Sequence, residues 1–126
     1  MGTRATYSFD DGDQIFHVYK HWDGYPEGAV EFIEAALKSS WKLPQFEADE
    51  FAASFVAANK TGQGGDIRLL QSGHWREISP DDIEYRYLVT CKNGEIHIIT
   101  YSLGEDWQEI FSGTLDEMNE EFRPEK

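Results

Sequence analysis

Cysteine is almost missing from this chain of 126 residues: Cys91 is the only one, so an internal disulfide is excluded. It lies in an apolar, alternating run, which makes a small buried packing thiol in a reducing compartment the expectation. Basic residues are scarce, 11 Lys and Arg against 24 Asp and Glu, giving a net charge of −13. Direct binding of nucleic acid or an anionic membrane is thereby disfavoured, because both need basic patches. No apolar run approaches the roughly 18 residues of a spanning helix. The opening residues Met-Gly-Thr-Arg-Ala-Thr-Tyr lack the apolar core of a secretory leader. A cytoplasmic address is expected.

The common catalytic and metal patterns are missing as well. There is no Gly-x-Ser-x-Gly, and Cys91 sits in a strand pattern rather than at a helix start. His17 and His21 are four apart, which in a strand separates them by about 13 Å. Two ligands each about 2 Å from one zinc ion cannot be so distant. Asp10, Asp11 and Asp13 lack EF-hand spacing and its closing glutamate. Gly62, Gly64 and Gly65 precede a strand pattern, not the helix that makes a phosphate cradle. No enzymatic reaction, cofactor or metal is expected.

Rings and acids are what the chain has in abundance. Eight Phe, six Tyr and four Trp promise a core built from aromatics. The acidity has two readings: a solvated surface that favours solubility, or an imitation of nucleic acid aimed at a basic groove. The densest cluster of unusual residues is Tyr19-Lys20-His21-Trp22-Asp23-Gly24-Tyr25-Pro26-Glu27-Gly28.

Residues 4–9 alternate, Asp10-Asp11-Gly12-Asp13 turns, and Ile15–Trp22 returns, so 4–22 reads as a β-hairpin. Val30, Ile33 and Leu37 give the stripe of a helix ending near Ser39-Ser40. A second helix is predicted over about 46–59, stopped by Asn59 and Gly62, with a flexible loop at 63–65. Further strands are expected at Asp66–Leu70, Glu84–Cys91, Glu95–Tyr101 and Trp107–Ser112, with Asn93-Gly94 marking a hairpin. Ser72-Gly73 reads as a turn and Ser79–Asp82 as a capped single turn. Thr114 and Glu117 have capping-box spacing ahead of a short C-terminal helix, and the last residues should fray. The fold class is α+β in one domain: an antiparallel sheet of about five to six strands, with two helices inserted after the N-terminal hairpin.

Binding is the function these parts suit. Tyr19, His21, Trp22 and Tyr25 can stack on a planar group, beside the N–H groups of the first helix. Arg4 on the hairpin and Arg68, Arg76 and Arg86 elsewhere offer bidentate recognition of phosphate or carboxylate. The candidate ligand-binding set is Arg4, Tyr19, His21, Trp22, Asp23, Tyr25 and Arg86. The alternative is structural: Trp22 and Tyr25 lock the strand-to-helix corner, Asp23 caps it, and Arg86 makes an ordinary cross-strand pair with a glutamate.

Thr3-Arg4-Ala5, the Tyr19–Gly28 stretch and, more loosely, Asp82–Tyr87 together carry a resemblance. They are similar to a family of small phage and mobile-element proteins with a Tyr-x-His-x-Asp-Gly-Tyr-Pro-x-Gly signature. The size and element order also resemble phage Thoeris anti-defence sponges, oligomers that sequester cyclic ADP-ribose-type signals, some also binding cyclic oligonucleotides. The resemblance implies a phage setting and a counter-defence role. Taken with the aromatic cluster beside a helix start, it makes a homo-oligomer in the host cytoplasm that captures a nucleotide-like small molecule the expectation. A host defence protein is the partner expected under the nucleic-acid-mimic alternative.

Overall fold

The computed structural model describes residues 3–60, 67–70 and 83–123. Alternation produces the N-terminal hairpin. β1 (Ala5–Asp10) and β2 (Ile15–Lys20) pair antiparallel, with Tyr7 opposite Val18 and Phe9 opposite Phe16. Gly12 turns the chain between them at φ 95°, where a side chain would be strained.

Asp11 does more than turn the chain. Its carboxylate accepts from the backbone N–H of Asp13 (2.8 Å) and Gln14 (2.9 Å). It also accepts from the N–H of Ala48 (2.8 Å), the first residue of α2 (Ala48–Asn59). Glu47, the N-cap of α2 by position, makes no side-chain cap, so Asp11, 37 positions before Ala48, supplies it. Burial pushes the Asp11 carboxyl up, but the Ala48, Gln14 and Asp13 N–H donors outweigh it and hold the group below its ordinary value. A depressed carboxyl stabilises the fold above its unfolded pKa, about 3.9, and loses that contribution as pH falls through the folded value. Asp11→Ala is expected to cost about 1–2 kcal/mol in urea unfolding at neutral pH. The gap to wild type should narrow below about pH 4.

α1 (Pro26–Ser39) turns Val30, Ile33 and Ala36 inward, and α2 turns Ala48, Phe51, Ala52 and Phe55. The Asn59 amide donates to the Phe32 carbonyl (2.9 Å), tying the end of α2 to α1. The second half of the chain supplies β3 (Ile67–Leu70), β4 (Tyr85–Lys92), β5 (Glu95–Leu103), β6 (Trp107–Thr114) and α3 (Leu115–Phe122). Asn93 and Gly94 at φ 53° and 77° form the β4–β5 turn that Asn-Gly signals. Thr114 Oγ1 accepts from Glu117 N–H (3.1 Å) and Glu117 accepts from Thr114 N–H (2.8 Å), the expected capping box.

The fold is α+β, with a six-stranded sheet in the order β3-β2-β1-β4-β5-β6. Four neighbouring pairs are antiparallel, but β1 and β4 run parallel at the centre, so the sheet is mixed. The parallel pair joins two hairpin-built halves whose strands lie far apart in sequence. The loop at 63–65, the turns at 72–73 and 79–82, His74, Arg76 and the end of the tail lie outside the described residues.

Tyr7, Phe9, Tyr87, Val89, Ile96 and Ile98 form the buried face beneath the helices. The Tyr7 ring lies 4.6 Å from Phe55 and 4.9 Å from Tyr87, and Phe9 lies 5.5 Å from Phe51. The opposite face is more polar, yet Thr6, Ser8, His17, Tyr19 and Arg86 are buried there too. Ser8 Oγ and His17 Nδ1 are 2.7 Å apart, which satisfies both groups where water is excluded. Among the described residues, no helix is long and apolar enough to cross a membrane.

Candidate functional site

β2 ends at Lys20 and α1 starts at Pro26, leaving five residues to reverse the chain. The corner is fixed from three sides. Gly24 N–H donates to the Thr3 carbonyl (2.8 Å), and the buried Tyr87 hydroxyl donates to the Gly24 carbonyl. A Cβ on Gly24 would lie 2.6 Å from Ala5 Cβ, so only glycine fits against β1. A Cβ on Gly28 would overlap the Asp23 carbonyl oxygen. Pro26 and Gly28 are both buried in the first turn of α1, where proline's missing N–H costs nothing.

Helix α1 begins at Pro26, inside the Tyr19–Gly28 cluster. Asp23 does not cap it: Tyr25 is the N-cap residue and makes no side-chain cap bond. Asp23 instead takes a left-handed conformation at φ 59°, with its carboxylate exposed. Burial first, and then the negative charge of Asp23, push the Tyr7 phenol well above its ordinary pKa, keeping it protonated.

Four of the seven predicted residues come together at this corner. The His21 Nδ1 is 2.7 Å from the Tyr19 hydroxyl and accepts from Arg4 Nε at 3.3 Å. Arg Nε can only donate, so Nδ1 carries the lone pair and the ring proton of neutral His21 sits on Nε2. The Trp22 indole stands edge-on to His21, with centroids 4.6 Å apart. Tyr19 is buried, whereas Trp22 is 39% exposed, so the cluster has a fixed base and an accessible rim. Tyr25 is 40% exposed at the turn, and its carbonyl accepts from Ala29 N–H at the helix start. Among the described residues, the ring contacts of this corner are Tyr19–His21 and His21–Trp22, without Tyr25.

Arg86 shares the face of Tyr19 but not its strand. In register Arg86 lies opposite Thr6, and Thr6 lies opposite Tyr19, two strand spacings or about 10 Å across the sheet. The Arg86 guanidinium stacks over Trp107 at 4.6 Å, and burial lowers its pKa without discharging it at neutral pH. The sequence gives no hint that Trp107 is its stacking partner, since the two meet only through the β4–β5–β6 pairing. Tyr85 and Tyr87, on the other face, stack with centroids 6.2 Å apart. The Cys91 thiol is half-buried, and burial raises its pKa, so it is no activated nucleophile.

One concavity escaped sequence reasoning. A groove of about 470 Å³ runs between α2 and the β2–β3 edge, lined by Phe16, His17, Ala53, Val56 and Leu69 among others. Leu69, 77% exposed in a strand, is the residue that could have signalled it. No protein-family model, no curated protein and no solved structure matches the chain.

Proposed function

We propose that this protein is a non-catalytic binder that captures a nucleotide-derived immune signal of the cyclic ADP-ribose or cyclic dinucleotide class. On this reading it is a homo-oligomeric phage-type counter-defence protein of the host cytoplasm. The observation that carries it is the Arg4–His21–Trp22 contact. A guanidinium, an imidazole and an accessible indole are held together on a rigid turn of a strongly acidic protein. Arginine suits a phosphate and indole a purine face. The Arg86–Trp107 stack repeats the same pairing of chemistries on the same sheet face.

Calorimetry against cyclic ADP-ribose isomers and cyclic dinucleotides is the test. Saturable heat with one class is expected, and Trp22→Ala should weaken it about tenfold or more, the worth of one stacked base. Because Trp22 is partly exposed, that variant should melt close to wild type. Silence with every ligand of both classes would remove the reading.

A second reading is an acidic mimic of DNA that blocks a host nuclease or CRISPR complex. It is favoured by α3, where Asp116, Glu117, Glu120 and Glu121 are all exposed while Leu115 and Met118 are buried. Inhibition of such an enzyme that fades with salt, with no heat from nucleotides, would select it.

A further inference from the structure

Among the described residues β6 is the last strand of the sheet, with a ladder on one side only. Gln108, Glu109, Ile110 and Ser112 are exposed along it. Residues 107–114 contain neither the proline nor the lysine by which sheet edges are commonly protected. One irregularity interrupts the strand. Thr100 faces Phe111 while Tyr101 faces Glu109, so Ile110 is an inserted bulge residue. The regular edge is thus the stretch 111–114.

That stretch lies against acid. Glu117, fixed by the capping box, stands so close to Gly113 that a Cβ there would lie 2.7 Å from its Oε1. Glu120 and Glu121 follow on the same short helix, both exposed. From residue 93 to 122 the chain has eight acids and no Lys or Arg. Arg4 and Arg68 lie on or beside strands of the other half of the sheet, and Arg86 of β4, stacked on Trp107, is on the face away from the helices.

We propose that the β6 edge accepts a short extended segment of another protein, with Lys or Arg at alternate positions, as a seventh strand. Main-chain N–H and C=O groups of the edge supply the ladder. A period of two places every second guest side chain on one face, the helix-bearing one, within reach of the α3 carboxylates. The bulge keeps the guest short. A second copy of this chain is the poorer occupant, because it would set the same base-free acidic stretch against itself. The proposal does not depend on ligand capture at the Tyr19–Gly28 corner.

The probes are the labelled peptide Lys-Thr-Lys-Thr-Lys-Thr and its block isomer Lys-Lys-Lys-Thr-Thr-Thr, equal in charge and composition. Fluorescence anisotropy is expected to show the alternating peptide binding about tenfold tighter. Hydrogen exchange should show added protection of amides within 111–114. Reversing two exposed charges, Glu120→Lys with Glu121→Lys, should weaken binding about tenfold, while cations near a helix C-terminus leave α3 folded. Equal affinity for the two isomers would make the surface a mere charge sink and overturn the proposal. So would no binding, unchanged exchange at 111–114, or a peptide-free dimer that protects the same amides.

Discussion

Replacing Gly28 with alanine is expected to destabilise the protein by about 3 kcal/mol, the upper end of ordinary overpacking costs. Helix propensity alone predicts the opposite sign, since alanine within a helix is favoured over glycine by roughly 1 kcal/mol. The packing effect wins because the added methyl would overlap the Asp23 carbonyl oxygen, which is main chain and cannot swing away. Relief requires moving the turn, and the turn is held by the Gly24–Thr3 and Tyr87–Gly24 hydrogen bonds. In thermal melts the loss should appear as a fall of about 10 °C. Gly12→Ala is the control: nothing lies within 4 Å of its Cβ, so only the positive φ of 95° opposes it. It should cost about 1 kcal/mol. A Gly28→Ala protein as stable as wild type would mean that the corner is not packed in this way.

Phe55→Ala should have a larger effect, about 3–5 kcal/mol. Phe55 is fully buried, and its ring touches both Tyr7 and Phe9 of the central strand, at 4.6 and 5.3 Å. Truncation removes one of the two rings by which α2 meets β1, the other being Phe51 against Phe9, and leaves a cavity above the sheet. Rigid rings on both sides limit collapse into that space, which places the cost high in the range. Urea unfolding should show a lower midpoint with an unchanged slope, and Phe55→Leu should recover much of the difference. Near-wild-type stability for Phe55→Ala would contradict the aromatic core.

Much of the candidate site was legible because its geometry is local. Tyr19, His21 and Trp22 are neighbours in sequence, and Arg4 follows from the β1–β2 register that the Asp-Gly turn sets. Gly24, Pro26 and Gly28 signalled a rigid corner before any contact was known, and each is buried. What the residues did not reveal was the role of Asp23, which takes a left-handed turn conformation rather than capping a helix. Helix N-caps and tight turns favour the same short polar side chains, so composition does not separate the two.

Sequence by itself determined the elements: hairpins at Asp11-Gly12 and Asn93-Gly94, two amphipathic helices between strands, and the Thr114–Glu117 box that starts α3. Each of these rests on residues within a few positions of one another, where periodicity and turn chemistry act. Tertiary structure alone decided three things. It set β1 parallel to β4, made Asp11 the cap of α2, and laid Arg86 on Trp107. These depend on which hydrophobic faces meet when the two halves of the chain close on Tyr7, Phe9, Tyr87 and Phe55. Burial is non-directional and indifferent to sequence separation, so it leaves no local pattern to read.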